Sequence, residues 1–92
     1  MLILVSNDRR NKDGVQDSSC AAENMMLAAQ SYEIGSVWIN ALMTICDEPQ
    51  IREMLDQYEL PKNHIVWATL ALGYPQVPGK LLAKKTTVVY WV

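Results

Sequence analysis

The stretch from Cys20 to Asn40, CAAENMMLAAQSYEIGSVWIN, decides the fold of this 92-residue chain. Its first part predicts an amphipathic helix, because apolar side chains recur three and four residues apart and so share one wide face. We expect this helix to begin after the N-cap residues Asp17 and Ser18 and to end at Gly35 with a positive φ. The apolar face comprises Ala21, Met25, Ala28 and Tyr32, with Ala22, Met26 and Ala29 beside it.

Three other apolar segments predict β-strands. Residues 2–5 and 65–72 are continuous apolar runs, which are typical of strands buried on both faces. Residues 86–92 are β-branched and aromatic, and we expect a third strand there. The polar residues 7–14 predict a loop, and residues 77–85, which include a proline, a glycine and three lysines, predict an extended linker.

A second helix is expected to start at Asp47-Glu48-Pro49, where acidic residues and a proline favour a helix N-terminus. Residues 36–46 fit either a short helix or a buried turn. Together the elements predict the α+β class, with a mixed or antiparallel sheet flanked by helices. Two helices cannot cover three such apolar strands, so we expect more protein to complete the domain, through dimerisation, a longer chain or both. A terminal strand on a long linker suits pairing with the sheet of another subunit.

Composition excludes several classes of protein. Half the residues are apolar and a fifth are charged, which is typical of a folded chain rather than a disordered one. The net charge of −2 gives no overall basic surface for nucleic acid. No apolar run is long enough to cross a bilayer and the short apolar start lacks a basic leader, so we expect a cytoplasmic protein with no membrane partner.

The cysteines and the single histidine predict no metal site. Cys20 and Cys46 form neither a CxxC pair nor a cysteine–histidine cluster, and we expect two reduced, buried thiols. His64 has no carboxylate partner near it in the sequence. No arrangement of a nucleophile with a general base is found either, so no catalytic side chain is predicted.

Charge is distributed unevenly along the chain. The last acidic residue is Glu59, and the third of the chain that follows carries only lysines and a histidine. This asymmetry favours an anion site near the C-terminus. Solvated lysines on a terminal segment are the plainer interpretation of the same pattern.

Several short motifs, taken in order, resemble the FMN-dependent nitroreductase family. An alanine-rich helix with an internal asparagine is followed by Gly-Ser-Val-Trp-Ile at residues 35–39 and by Ala-Leu-Gly-Tyr-Pro at residues 71–75. The basic pair Lys84-Lys85 then precedes the last predicted strand. Each motif is weak alone, whereas their order and spacing are specific. The resemblance identifies residues 1–92 as the C-terminal part of a single nitroreductase-like domain.

The resemblance implies a flavin oxidoreductase. Members of the family bind FMN at a homodimer interface, where NAD(P)H and then a nitroaromatic, quinone or similar acceptor occupy one flavin face in a ping-pong hydride transfer. Their N-terminal half carries an arginine-rich grip on the FMN phosphate and ribityl chain, and this sequence begins after that half. A fragment, an internal start and one part of a split gene all fit this finding. The alternatives to an active enzyme are a truncated, non-catalytic dimerisation or binding module and a half-enzyme that needs a separate N-terminal partner.

By this resemblance the turn formed by Trp38, Ile39, Asn40 and Ala41 contacts the flavin. Its backbone N–H groups would approach the N5 edge and stabilise the reduced, anionic ring. Many relatives carry an acidic residue or a glycine in this turn, so Asn40-Ala41 departs from the family pattern. Without the resemblance, the same residues would be interpreted as core side chains and a turn cap.

The second predicted contact with the flavin is the basic pair Lys84 and Lys85, which would bind the FMN phosphate as point charges. The absence of acidic residues after Glu59 supports this assignment independently. The alternative is a solvated pair beside an edge strand, where lysine deters aggregation. FMN is therefore the predicted cofactor, with NAD(P)H and an electron acceptor as small-molecule partners and a homodimer as the assembly.

Overall fold

The structure, a computed structural model, describes residues 1–83 and 88–91. Within these residues an antiparallel sheet has helices on both faces. Its strands β1 and β2 both pair with β3, which gives the order β1-β3-β2. The predicted α+β class is confirmed. The elements in chain order are β1 Leu2–Asp8, α1 Gly14–Ser31, β2 Gly35–Ile39, α2 Ala41–Ile45, α3 Pro49–Asp56 and β3 His64–Gly73.

The central strand β3 carries most of the core and confirms the strand predicted at residues 65–72. In β1, by contrast, only Val5 is buried, and Leu2 is 64% exposed. The prediction that both strands are buried on both faces is therefore wrong for β1, because β1 has a single neighbouring strand in the described sheet. The buried residues of β3 are Val66, Ala68, Thr69 and Leu70.

The two faces of the sheet have separate apolar clusters. α1 packs on one face, and the segment formed by α2 and α3 packs on the other. Alanines on α1 let the helix lie close to the strands, since they add little side-chain bulk. The cluster under α1 contains Val5, Ala22, Ala68 and Leu70, and the opposite cluster contains Cys46, Leu55 and Val66.

α1 ends in a Schellman motif. The N–H of Ile34 donates to the carbonyl of Ala29 at 2.9 Å, and the N–H of Glu33 donates to the carbonyl of Gln30 at 3.0 Å. Glu33 adopts the left-handed φ of 58° that this motif requires. The prediction of a positive φ at Gly35 is therefore wrong. Gly35 instead begins β2, where an added Cβ would come within 3.2 Å of the Gly73 carbonyl oxygen.

α3 ends in the same motif. The N–H of Leu60 donates to the carbonyl of Leu55, and the N–H of Glu59 donates to the carbonyl of Asp56. Glu59 also has a φ of 58°. In both motifs an apolar residue follows the strained glutamate, and such a residue commonly packs back on the helix. The shared sequence, Tyr-Glu followed by an apolar residue, occurs at residues 32–34 and 58–60.

Two predicted boundaries near the start of the chain are wrong. β1 runs through Asp8, because its polar last residues still pair with β3. α1 begins at Gly14 with Asp13 at the N-cap, so Asp17 and Ser18 lie inside the helix instead of capping it. The helix at Asp47-Glu48-Pro49 is confirmed, with Pro49 as the first residue of α3.

The third strand of the sheet is not the predicted one. Residues 36–46, which were expected to form a short helix or a turn, contain most of β2 as well as α2. The strand predicted at residues 86–92 is absent from residues 88–91, which have no regular secondary structure. Residues 84–87 and 92 lie outside the described part of the chain. β2 has only five residues and is followed almost at once by α2, so its alternation of apolar and polar residues is too short to distinguish a strand from a helix.

The segment after β3 is exposed throughout its described residues. Residues 77–83, within the predicted extended linker, have no regular secondary structure. Large apolar side chains exposed in this number along one segment are unusual on a monomeric soluble protein. The large apolar side chains exposed here are Tyr74, Val77, Leu81, Leu82, Val88, Val89, Tyr90 and Trp91.

Both cysteines are free thiols, but only Cys46 is buried. The prediction of two buried thiols is wrong for Cys20, which lies on the exposed side of α1. None of the helices in the described residues is both long and apolar enough to span a bilayer. The same residues contain no group of three or more histidine, cysteine, aspartate or glutamate side chains that could hold a metal ion.

Candidate functional site

The turn singled out by the sequence joins the end of β2 to the start of α2. Ile39, the last residue of β2, pairs with Thr69 in the middle of β3. Asn40 is the N-cap of α2, which begins at Ala41. β2 ends at this pair, whereas β3 extends to His64 at its other end. The turn therefore lies beside the middle of β3, where the pairing between β2 and β3 stops.

The side chains of β2 that lead into the turn alternate between the two faces of the sheet. Trp38 packs against the cluster under α1. Its Nε1 is buried without a hydrogen-bond partner. Val37 and Ile39 alternate with it and are 55% and 38% exposed. Any ligand at this turn therefore meets Ile39 and the backbone, while the indole of Trp38 supports the turn from the core.

The backbone of the turn has free hydrogen-bond donors. Asn40 has φ −89° and ψ −9°, and its exposed carboxamide makes no capping hydrogen bond to α2. The carbonyl of Asn40 accepts from the N–H of Met43 at 3.0 Å. The N–H groups of Asn40 and Ala41 donate to no other backbone group of the described residues. Two adjacent donors on an exposed turn can hydrogen-bond an electron-rich edge of a ligand.

These features fit the edge of a flavin ring. The free N–H groups suit a ring nitrogen that gains electron density on reduction, and the exposed side chain of Ile39 offers an apolar contact for a flat ring. The predicted phosphate ligands Lys84 and Lys85 lie outside the described residues, so their pairing with the turn stays a prediction.

An open groove lies at the other end of β2 and was not anticipated from the sequence. It has a volume of about 940 Å³ and runs between the end of α1 and the segment that follows β3. Tyr32 and Tyr74, both strongly exposed, line it. The strained Glu33 also lines it. No sequence signal marks this groove, because residues about forty positions apart form it.

A cluster of ion pairs fixes the end of the sheet away from the groove. The Asp47 carboxylate accepts from Arg9 at 2.8 Å and from Arg52 at 3.0 Å. Hydrogen bonds from Arg9 first and Arg52 second lower the pKa of the Asp47 carboxyl to about 2. Arg52 also donates to the carbonyl of His64 at 2.8 Å. The cluster therefore joins the end of β1, the start of α3 and the start of β3, which is a structural role.

Comparisons with known proteins identify one family. The nitroreductase family model matches residues 1–74. A protein of Archaeoglobus fulgidus, named provisionally as an NADH dehydrogenase/NAD(P)H nitroreductase, is 40% identical over 62 residues, which are 67% of this chain and 34% of that protein. A nitroreductase structure with bound FMN from Bacteroides fragilis has a TM-score of 0.81 and 45% identity, and the match covers 94% of this chain and 46% of that chain. A structure from Bacteroides thetaiotaomicron, also named provisionally as an NADH dehydrogenase/NAD(P)H nitroreductase, has a TM-score of 0.69 and 30% identity, with coverage of 92% and 49%.

The chain spans about a third of the archaeal relative and slightly less than half of the two solved structures. The Bacteroides fragilis match extends beyond the family model, since 74 of 92 residues are about 80% of the chain and the structural match covers 94%. Part of the exposed segment after β3 therefore has a counterpart in that structure. The match over residues 1–74, which contains the candidate turn, shows that this chain belongs to the nitroreductase family.

Proposed function

We propose that this chain is part of an FMN-dependent oxidoreductase that uses NAD(P)H to reduce nitroaromatic compounds, quinones or similar acceptors. The observation that carries the proposal is the exposed turn after β2, whose free N–H groups lie within the segment that matches the nitroreductase family. The FMN bound to the Bacteroides fragilis relative supports flavin as the cofactor. The names of the other two relatives support NAD(P)H as the electron donor.

The residues of the turn would bind and orient the flavin without taking part in covalent chemistry. FMN, when bound, supplies the hydride transfer itself. The N–H groups of Asn40 and Ala41 would donate to the N5 edge, and the exposed Ile39 would contact the ring. Such fixed donors stabilise the charge that develops on reduction, because they need no reorganisation during the reaction. Lys84 and Lys85 would hold the phosphate.

The working assembly under this proposal is a homodimer with an exchanged C-terminal segment. The described part of the chain leaves apolar side chains and strand edges uncovered. The side chains of Leu81 and Trp91 are almost fully exposed, and each of the two edge strands has one side that pairs with no strand of the described residues. A second copy that received this segment would remove the apolar surface from water. A cytoplasmic location would supply the reduced nicotinamide cofactor that the reaction consumes.

Two substitutions at one position test the backbone contact. Asn40→Ala removes the carboxamide and keeps the N–H, whereas Asn40→Pro removes both. Proline is compatible with the fold here, because the φ of −89° is close to the proline value of about −65° and the preceding Ile39 is extended.

We expect FMN affinity, measured by quenching of flavin fluorescence, to be roughly tenfold weaker for Asn40→Pro than for Asn40→Ala. Circular dichroism of the two variants checks that the fold is retained. Equal affinities would remove the N–H of Asn40 from the proposed site.

A second candidate function is a non-catalytic dimerisation or binding module, or a half-enzyme completed by a separate N-terminal partner. It is favoured by the exposed apolar side chains of the segment after β3, which a partner chain could cover. Under this alternative the isolated chain would not bind FMN at millimolar concentration, and no yellow colour would accompany the purified protein. Adding an N-terminal nitroreductase half would restore flavin binding only if the half-enzyme is correct.

A further inference from the structure

We draw no further inference here: the strongest candidate, the bare apolar part of the sheet face opposite α1, where Leu2 and Val37 flank Ala71 across the three strands and are 64% and 55% exposed, carries nothing because no feature of the described residues shows what covers it.

Discussion

Replacing Glu33 by glycine should stabilise the chain. Glu33 has a φ of 58° in the Schellman motif at the end of α1. A side chain with a Cβ pays roughly 1–2 kcal/mol for this conformation, and glycine pays almost nothing. Glycine also increases the entropy of the unfolded chain, which costs about 0.4–1 kcal/mol. The difference favours Glu33→Gly by about 0.5–1 kcal/mol. Loss of a negative charge at a helix C-terminus adds about 0.3 kcal/mol for an exposed side chain.

Urea denaturation followed by circular dichroism measures this effect. With a denaturant slope of about 1 kcal/mol per molar for a small domain, the midpoint should rise by roughly 0.8–1.3 M. All variants are compared at one protein concentration, because association would shift the midpoint. Glu59→Gly should behave in the same way, since Glu59 has the same φ at the end of α3. The two gains should add, because the motifs belong to different helices.

Glu23→Gly is the matched control. Glu23 is an exposed residue inside α1 with a helical backbone, so the same chemical change should destabilise the chain by about 0.5–1 kcal/mol. Glu33→Gln separates the contribution of charge from that of the backbone. A midpoint for Glu33→Gly that does not exceed that of Glu33→Gln would refute the argument from backbone strain.

Three further predictions concern charge, the phosphate contact and assembly. Asp47→Asn should lower the free energy of unfolding by at most about 1 kcal/mol at neutral pH, because the Asp47 side chain is 58% exposed and its ion pairs are screened. Since the folded-state pKa of Asp47 is lowered from 3.8 to about 2, this contribution is present above pH 3.8 and disappears as the pH falls toward 2. An Asp47→Asn effect of equal size at both ends of the window would contradict the assignment. If FMN binds, Lys84→Ala should weaken its affinity on the order of ten- to a hundredfold in a fluorescence titration. Lys62→Ala removes the same charge from an exposed turn and should cost far less, so equal and small losses would remove Lys84 from the site. Sedimentation at micromolar concentration should detect a dimer or a larger species, whereas a compact monomer with a cooperative melt would show that the exposed apolar segment needs no partner.

The sequence predicted the elements with long and uniform patterns. β3 was recognised because its apolar run is continuous, and α1 because its apolar face recurs over several turns. β2 was missed, since five residues between a helix end and another helix carry too little alternation to identify a strand. The C-terminal residues carry a strong strand composition, yet residues 88–91 form no strand. Strand composition predicts a strand only where a neighbouring strand is present to pair with it.

Local backbone conformations were harder to predict than the elements. Gly35 was expected to take the positive φ at the end of α1 because glycine does so at the lowest cost. The structure gives that role to Glu33, two residues earlier, because the hydrogen bonds of Ile34 and Glu33 close the helix there. The glycine is needed instead for its close approach to Gly73. A glycine near a helix end thus has two possible uses that one sequence does not distinguish.

The candidate site was predicted from motif order and not from physical pattern. The resemblance located the turn of residues 38–41, and the structure adds that Trp38 faces the core while Asn40 and Ala41 have free N–H groups. The ion pairs around Asp47 and the groove near Tyr32 could not be predicted, because each depends on the relative placement of distant segments. Periodicity within one segment contains no information about such contacts.

The central claim is that the turn after β2 contacts a flavin through its backbone. The most direct measurement is a titration of FMN into the ¹⁵N-labelled chain, up to millimolar concentration, with backbone amide shifts recorded residue by residue. We expect the largest shifts at Asn40 and Ala41, while the amide of Val15, at the start of α1, stays unchanged. Riboflavin, which lacks the phosphate, should shift the same two amides at higher concentration. Shifts confined to other parts of the chain, or none at saturating FMN, would contradict the account.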